Sequence, residues 1–300
     1  MKRVVSVSLG SSSRDHKVEL DVLGQHFLVE RIGTNGSIEK AVEIVKELDG
    51  KVDAFGMGGI DIYLHGSENA KYMIRSSKPL VHAAVKTPIV DGSELKNVLE
   101  RRVVYFVDEQ CDVKIRNKKV LLVPAIDRFG MAEAFDELGA KLVMGDLIFS
   151  LGIPIPITSL KLLRAAAVVL MPALCQLPFS WLYPVGGNQD QITPKHGRFY
   201  QRADIIAGDF IYIRKYLPDN LPGKIIITNT VTPKDVELLR ERGVKMLVTS
   251  TPDLQGRSFG TNVIEAILVA ASGKRPEQLT KQDYLKLLDD IGFKPRVENL

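Results

Sequence analysis

Between Lys118 and Asp146 the chain reads KKVLLVPAIDRFGMAEAFDELGAKLVMGD, a strand, a helix and a second strand in one unit. Val120–Val123 is an apolar run of strand length, and Ala132, Phe135 and Leu138 recur at helical spacing before Gly139 stops the helix. Leu142–Met144 is the second strand, closing on Gly145-Asp146. A strand feeding a helix N-terminus, with an acid at the tip of the next strand, is the layout that holds a dinucleotide. The helix start offers N–H groups and partial positive charge to a pyrophosphate, and the carboxylate bonds ribose hydroxyls. The turn itself, Pro124-Ala125-Ile126-Asp127-Arg128-Phe129-Gly130, keeps only the last glycine of the usual fingerprint. Arg128 can bond a phosphate there, whereas Asp127 repels one unless it turns inward to cap the helix. The unit therefore states an α/β fold more strongly than it states NAD.

The rest of the chain repeats the alternation. Val4–Leu9, Val18–Val22 and Phe27–Ile32 read as strands, and Ser37 caps a helix through Leu48 that Gly50 ends. Val52–Met57 is a buried strand, Tyr72–Ile74 an edge strand, Pro79–Val85 a helical patch, and Ser93 caps a helix through Val104 or beyond. Asp108–Asn117 is a polar link. After the opening unit come a helix near Ser159–Leu174 and a connection of roughly 25 residues from Gln176 to Tyr200, long enough to suggest a functional loop. Strands at Ala203–Ala207, Lys224–Thr228 and Val244–Thr249 alternate with helices at Phe210–Tyr216, Pro233–Arg242 and Thr261–Ser272. This pattern predicts a two-domain α/β protein whose second domain is a Rossmann-like, doubly wound parallel sheet. The expected division is an N-terminal α/β substrate domain over 1–115, a dinucleotide-binding domain over 116–275, and a C-terminal helix over 276–300 packing back on the first domain.

Three hundred residues suit about two domains. The net charge of +4, without a basic stripe interleaved with aromatics, argues against nucleic acid and suits a small anionic metabolite. Two cysteines, Cys111 and Cys175, are too few for a disulfide framework, which implies a reduced, cytoplasmic setting. Residues 165–185 carry no charge over about the thickness of a bilayer, but Pro172, Pro178 and Pro184 with Gln176 and Ser180 speak against a membrane span. A buried helix running into an aromatic loop, or a homodimer interface, fits this segment better. The five histidines are scattered with no paired spacing, so no metal site is expected.

Four stretches carry candidate site residues. Gly58-Gly59-Ile60-Asp61 ends a strand where glycines let a ligand approach backbone N–H groups, with Asp61 at the edge where ligands bind; a tight turn in a buried sheet is the plainer alternative. Lys195 and His196 in the long loop suit a carboxylate or phosphate, unless they are simply solvated. Asn229-Thr230 closes a strand where dehydrogenases bond the nicotinamide ribose. Gly256–Asn262 precedes a helix whose start can hold an anion, although Thr261 can equally be its cap.

Residues 203–260 resemble the cofactor domain of the shikimate/quinate 5-dehydrogenase family. Ala203-Asp204-Ile205-Ile206 is similar to its "ADLVI" strand, Thr232-Pro233 with Leu238-Leu239 and Gly243 to its "TPLL" helix, and Met246-Leu247-Val248 with Phe259-Gly260 to the turn beside the nicotinamide. The resemblance covers about a fifth of the chain. It implies an NAD- or NADP-dependent oxidoreductase acting on a small hydroxy acid such as quinate or shikimate. Cofactor contacts would fall on Asp127, Arg128, Gly130, Asp146, Asn229, Thr230 and Gly260. It also implies substrate contacts from Ser6 and Ser8, matched to the family's serine pair; Gly58, Gly59, Asp61, Lys195 and His196 are the substrate contacts expected from the residues themselves. The family's catalytic lysine motif has its nearest counterpart in Lys86-Thr87-Pro88 with Asp91, in scrambled order. A lysine beside a carboxylate can relay the alcohol proton, so Lys86 and Asp91 are the expected catalytic pair. The alternative is a non-catalytic ligand-binding or regulatory protein that kept the scaffold and lost the fingerprint.

Overall fold

The computed structural model describes residues 1–65, 70–177, 192–251, 253–254 and 257–300, with backbone alone for His65, Asp253, Leu254, Arg257 and Ser258. Strand β1 (Lys2–Ser8) leads to a hairpin of β2 (His16–Val22) and β3 (Gln25–Gly33). Its two-residue turn, Leu23-Gly24, has φ of 52° and 69°, the hand that matches strand twist. Helix α1 (Ile38–Leu48) follows, capped by the Ser37 hydroxyl, which accepts from the Lys40 N–H. Next come β4 (Ala54–Gly58), the antiparallel pair β5 (Tyr63–His65) and β6 (Lys71–Met73), α2 (Lys78–Ala83) and β7 (Ile89–Val90). The first sheet runs β2-β3-β1-β4-β7, all parallel except β2.

Helix α3 (Ser93–Gln110) then crosses to the second sheet. There β8 (Lys119–Val123), α4 (Phe129–Glu137) and β9 (Lys141–Met144) realise the opening unit. They are followed by α5 (Leu160–Leu174), α6 (Gly197–Arg202), β10 (Ile205–Gly208), α7 (Phe210–Lys215), β11 (Ile225–Thr228), α8 (Pro233–Glu241) and β12 (Met246–Thr249). A hairpin of β13 (Asp253–Leu254) and β14 (Arg257–Ser258), then α9 (Thr261–Ser272), α10 (Lys281–Asp290) and β15 (Arg296–Asn299), complete the chain. The sheet order is β9-β8-β10-β11-β12-β15, with β15 alone antiparallel. Counted from β8 it reads 2-1-3-4-5-6, so the connections reverse direction between β8 and β10. Ligands of doubly wound sheets bind outside the strand ends at such a switch point.

Alternation along each strand builds a core on both faces of both sheets. Leu122, Ala207 and Ile227 face α3, α4 and α5, while Leu121, Ile206 and Ile226 face α6, α7 and α8. In the first sheet Val5, Val7 and Phe55 face α1 and α2. The other face, with Val4, Phe27 and Ala54, is covered by α3, α9 and α10.

The structure differs from the expected division in three places. Helix α3 belongs to both units, since Leu95, Val98 and Leu99 pack in the first core and Val103, Val104 and Val107 in the second. Helix α9, expected in the dinucleotide-binding domain, lies on the first sheet. Glycines permit that approach: a Cβ at Gly56 would sit 2.7 Å from the Asn262 carbonyl oxygen, and one at Gly92 2.5 Å from the Asn262 nitrogen. After α10 the chain returns to the second sheet as β15, a polar strand whose sequence carries no apolar run. Caps also differ. Gly92, at φ 90°, precedes α3 in place of Ser93, and Gly260 rather than Thr261 precedes α9.

Among the described residues no helix is long and apolar enough to cross a membrane. Leu162, Val168 and Val169 of α5 are exposed. The remainder of the uncharged segment, from residue 178, and Gly186-Gly187-Asn188 lie outside the described residues.

Candidate functional site

The C-terminal ends of strands from both sheets converge on one cavity of about 230 Å³. The first sheet supplies Gly58-Gly59-Ile60-Asp61 and Asp91-Gly92; the second supplies Asp127-Arg128, Asp209 and Asn229-Thr230. Lys96 and Glu100 of α3 and Gly260-Thr261-Asn262 at the start of α9 complete the wall. Sites that enclose drug-sized ligands run to roughly 300–1,000 Å³. This cavity suits a small metabolite and does not enclose a dinucleotide.

Its polar groups form one network. Lys96 Nζ donates to Asp127 Oδ2 at 2.7 Å. Arg128, 3% exposed, donates to Glu100 and, through its other terminal nitrogen, to Asp209 Oδ2 at 2.9 Å. Asn229 Nδ2 donates to that same oxygen at 2.9 Å, and Asn229 Oδ1 accepts from the Phe210 N–H. Asp209 Oδ1 accepts from the Ile211 N–H and so caps α7. Burial pushes Glu100 above its ordinary value despite Arg128. Burial alone would also raise Asp127, but Lys96 and Arg128 outweigh it and hold that carboxyl below its usual range. Burial would lower Lys96, yet Asp127, Asp61 and Glu100 keep its ammonium above the ordinary value. Lys96 and Asp127 are thus locked as an ion pair. A proton-transfer group works best when its pKa lies near the working pH, and neither partner is moved that way.

The dinucleotide implied by the resemblance does not fit the β8–α4 turn. Its N–H groups at Ala125 and Ile126 donate to Asp146 Oδ1 at 3.0 and 2.8 Å. The carboxylate expected on a ribose is 7% exposed and fills the place of a phosphate. Burial pushes it up to about 6 against the pull of those two amides. Gly130 serves packing instead, since a Cβ there would fall 2.6 Å from the Asn97 carbonyl oxygen of α3. Arg128, committed to Glu100 and Asp209, is not turned toward a phosphate.

Of the expected site residues, Gly58, Gly59, Asp61, Asp91, Asp127, Arg128, Asn229, Thr230 and Gly260 meet at the cavity. Lys86 and Asp91 do not pair. The two-residue strand β7 separates them, leaving Lys86 exposed at the opposite edge of the sheet, where its N–H donates to Asp49 Oδ1 at 2.9 Å. Asp91 accepts from the Ile62, Tyr63 and Ser93 N–H groups, which makes it a cap rather than a base. Ser6 Oγ accepts from Asn262 Nδ2 at 3.0 Å, and Ser8 Oγ from Arg31 at 2.9 Å; both serines are buried. Lys195 is exposed, and His196 packs edge-on to Phe149 at 6.0 Å; neither lines the cavity. Lys96, Glu100 and Asp209 were missed. The available signal was only that Lys96 and Glu100 stand one turn apart on a helix. Among the described residues no group of His, Cys, Asp and Glu has the geometry to hold a metal.

The family described as Domain of unknown function (DUF8754) matches residues 94–300, and Domain of unknown function (DUF8753) matches residues 3–91. No curated protein matches. Solved structures include a hetero-hexameric glutamate dehydrogenase from Thermus thermophilus, at 11% identity over 97% of this chain and 74% of that one, TM-score 0.43. Shikimate dehydrogenase from Aquifex aeolicus aligns at 12% identity over 96% and 97%, TM-score 0.39. An ABC transporter solute binding protein from Agrobacterium vitis, bound with alpha-D-tagatopyranose, aligns at 8% over 91% and 89%, TM-score 0.39. Likeness at these TM-scores carries no weight for function.

Proposed function

Because the chain belongs, through residues 94–300, to the family described as Domain of unknown function (DUF8754), we propose its function from the cavity alone: it binds one small polar metabolite between its two sheets. In this reading the protein keeps a dehydrogenase-like scaffold without a dinucleotide at the β8–α4 turn. The observation that carries it is the Asp146 carboxylate seated on the Ala125 and Ile126 N–H groups. A pyrophosphate would have to displace a buried group of the same charge to use that turn. The cavity itself supports binding, with carboxylates, the Asn229 amide and a helix start converging at a topological switch point.

A second reading has one observation in its favour. Lys96 beside Asp127 is a lysine–carboxylate pair in the cavity, of the kind sought at Lys86 and Asp91. It would support the NAD(P)-dependent oxidation of a small hydroxy acid such as quinate or shikimate that residues 203–260 suggest. Calorimetry on the purified full chain separates the two. The binding reading expects no saturable heat from NAD or NADP, alone or with quinate or shikimate. Micromolar binding of either nucleotide would return the protein to the oxidoreductases.

A further inference from the structure

Independently of the cavity, we infer that the N-terminal edge of the second sheet is a docking surface for duplex nucleic acid, held through its phosphate backbone without reading of the bases.

Parallel strands start at one edge, and here they start on cations. Lys119 of β8 and Lys141 of β9 are register partners. Asp204, Lys224 and Lys245 directly precede Ile205, Ile225 and Met246, which align with Val120 across β8, β10, β11 and β12. One row across five strands therefore reads Lys141, Lys119, Asp204, Lys224, Lys245. Residues at one register share a face of the sheet, and strands about 4.8 Å apart make the row roughly 19 Å long. The turn into β8 adds Arg116 and Lys118, and the last turn of α6 adds Arg202. In the linear sequence these cations fall in separate stretches between residues 116 and 245, so no basic stripe is visible until the strands align.

Most of this charge has no counterpart within the fold. Arg116, Lys118, Lys119, Lys141, Arg202 and Lys245 are exposed, and among the described residues none of them is in an ion pair. Lys224 is committed, since its Nζ donates to the Gln201 carbonyl at 2.8 Å. The one carboxylate of the row, Asp204, accepts the Lys119 N–H through Oδ2 at 2.8 Å. Asp219, in the connection before β11, is paired with Arg242 at 2.6 Å. The chain as a whole is only +4, so the excess is local to this edge. Side-by-side cations such as Lys119 and Lys141 repel one another, and an external polyanion relieves that.

The surroundings choose among polyanions. The connections that carry these cations hold no aromatic residue and none of the exposed large apolar side chains. Stacking on the bases of a single strand and insertion into lipid both need such groups. An acidic peptide would have to be ordered along the row. What remains is a rigid line of positive charge, and its match is a rigid line of negative charge. A duplex carries about one phosphate per 1.7 Å of its axis and can follow the row along its whole length, whereas a bilayer is a plane that the row meets only along one line. The cavity lies at the opposite ends of these strands, so a duplex on this edge leaves it open.

The test is fluorescence anisotropy of a labelled duplex of about 20 base pairs, titrated with the full chain between about 50 and 200 mM salt. Binding should be micromolar at the lower salt and alike for unrelated base sequences. The logarithm of the affinity should fall with that of the salt concentration at a slope of about 4. The double variant Lys119→Ala, Lys141→Ala, checked for folding by its melting curve, should bind about tenfold more weakly at low salt and lower the slope by about 2. A control pair, Lys40→Ala with Lys46→Ala, exposed on α1 of the other sheet, should bind as the native chain does. The inference is overturned if the duplex does not bind at low salt, or if the α1 pair weakens binding as much as the edge pair. It is equally overturned if phosphatidylserine vesicles bind more tightly than the duplex and lose that binding in the edge variant.

Discussion

Asp146 Oδ1 accepts the Ile126 N–H at 2.8 Å, so the second sheet opens on a turn that carries its own anion. Burial pushes this carboxyl from 3.8 up to about 6. A group that holds its proton more tightly when folded stabilises the protein fully below its unfolded value, and that contribution is lost as pH rises through the folded value. Asp146→Asn keeps an oxygen for the two amides and cannot ionise. Between pH 4 and pH 8 it should gain on the order of 2–3 kcal/mol relative to the native chain. Urea midpoints at the two pH values measure this, and a constant difference would refute it.

Arg128 and Glu100 should respond very unequally to substitution. Arg128→Met leaves Glu100 and Asp209 buried without their cation, a loss of roughly 3–5 kcal/mol. Glu100→Gln should cost less, about 1–2 kcal/mol, because burial raises that carboxyl and so lessens what is lost with its charge, while the amide oxygen still accepts from Arg128. Denaturant titration of both variants at pH 7 checks the ordering. Equal losses would mean that Glu100 is held as a full charge.

Glu265, fully buried in α9, accepts from the Tyr284 hydroxyl at 3.1 Å and is pushed up to about 8, chiefly by burial. Its stabilising contribution is complete below about 4.5, the unfolded value, and is lost as pH rises through about 8. Glu265→Gln should flatten that slope and overtake the native protein at pH 9, by up to about 4 kcal/mol relative to their difference at pH 4. Parallel thermal melts that keep a fixed spacing across this range would contradict the assignment.

Gly92→Ala tests the contact between β7 and α9. The native φ of 90° disfavours any side chain, and the new Cβ would lie 2.5 Å from the Asn262 nitrogen. A loss of about 2–4 kcal/mol is expected. Hydrogen exchange should quicken first in α9. An unchanged melting temperature would show that the two elements do not approach this closely.

Much of the architecture was legible because each element carries its own punctuation. Ser159 caps α5, and Thr232-Pro233 opens α8 with a capping box completed by Asp235. What stayed hidden depended on the partner of an element rather than the element itself. Helix α9 is buried from Val263 through Ala270, which announces enclosure without saying which sheet encloses it. At the cavity, strand-end residues such as Asp61, Asp127 and Asn229 were found because strand ends can be located from pattern. Lys86 misled because a strand of two residues, Ile89–Val90, is too short to read, and it alone places Lys86 and Asp91 at opposite edges. Lys96 and Glu100 look like an ordinary solvated pair one helical turn apart. Asp127 and Arg128, arriving from the β8–α4 turn, make that position interior.

The chain crosses between its two sheets three times, along α3, before α9 and before β15. One face of the N-terminal sheet is therefore roofed by segments made last: Tyr284 of α10 joins Val4 and Phe27 in a single core. On the ribosome about 190 further residues must emerge after Ser93 before Tyr284 appears, a wait of roughly 10–40 s at typical synthesis rates. Until then Val4, Phe27 and Ala54 lack part of their cover. The first sheet therefore stays incompletely covered until the end of translation, and a chain stalled near residue 260 should be recovered as aggregate rather than with a folded N-terminal sheet.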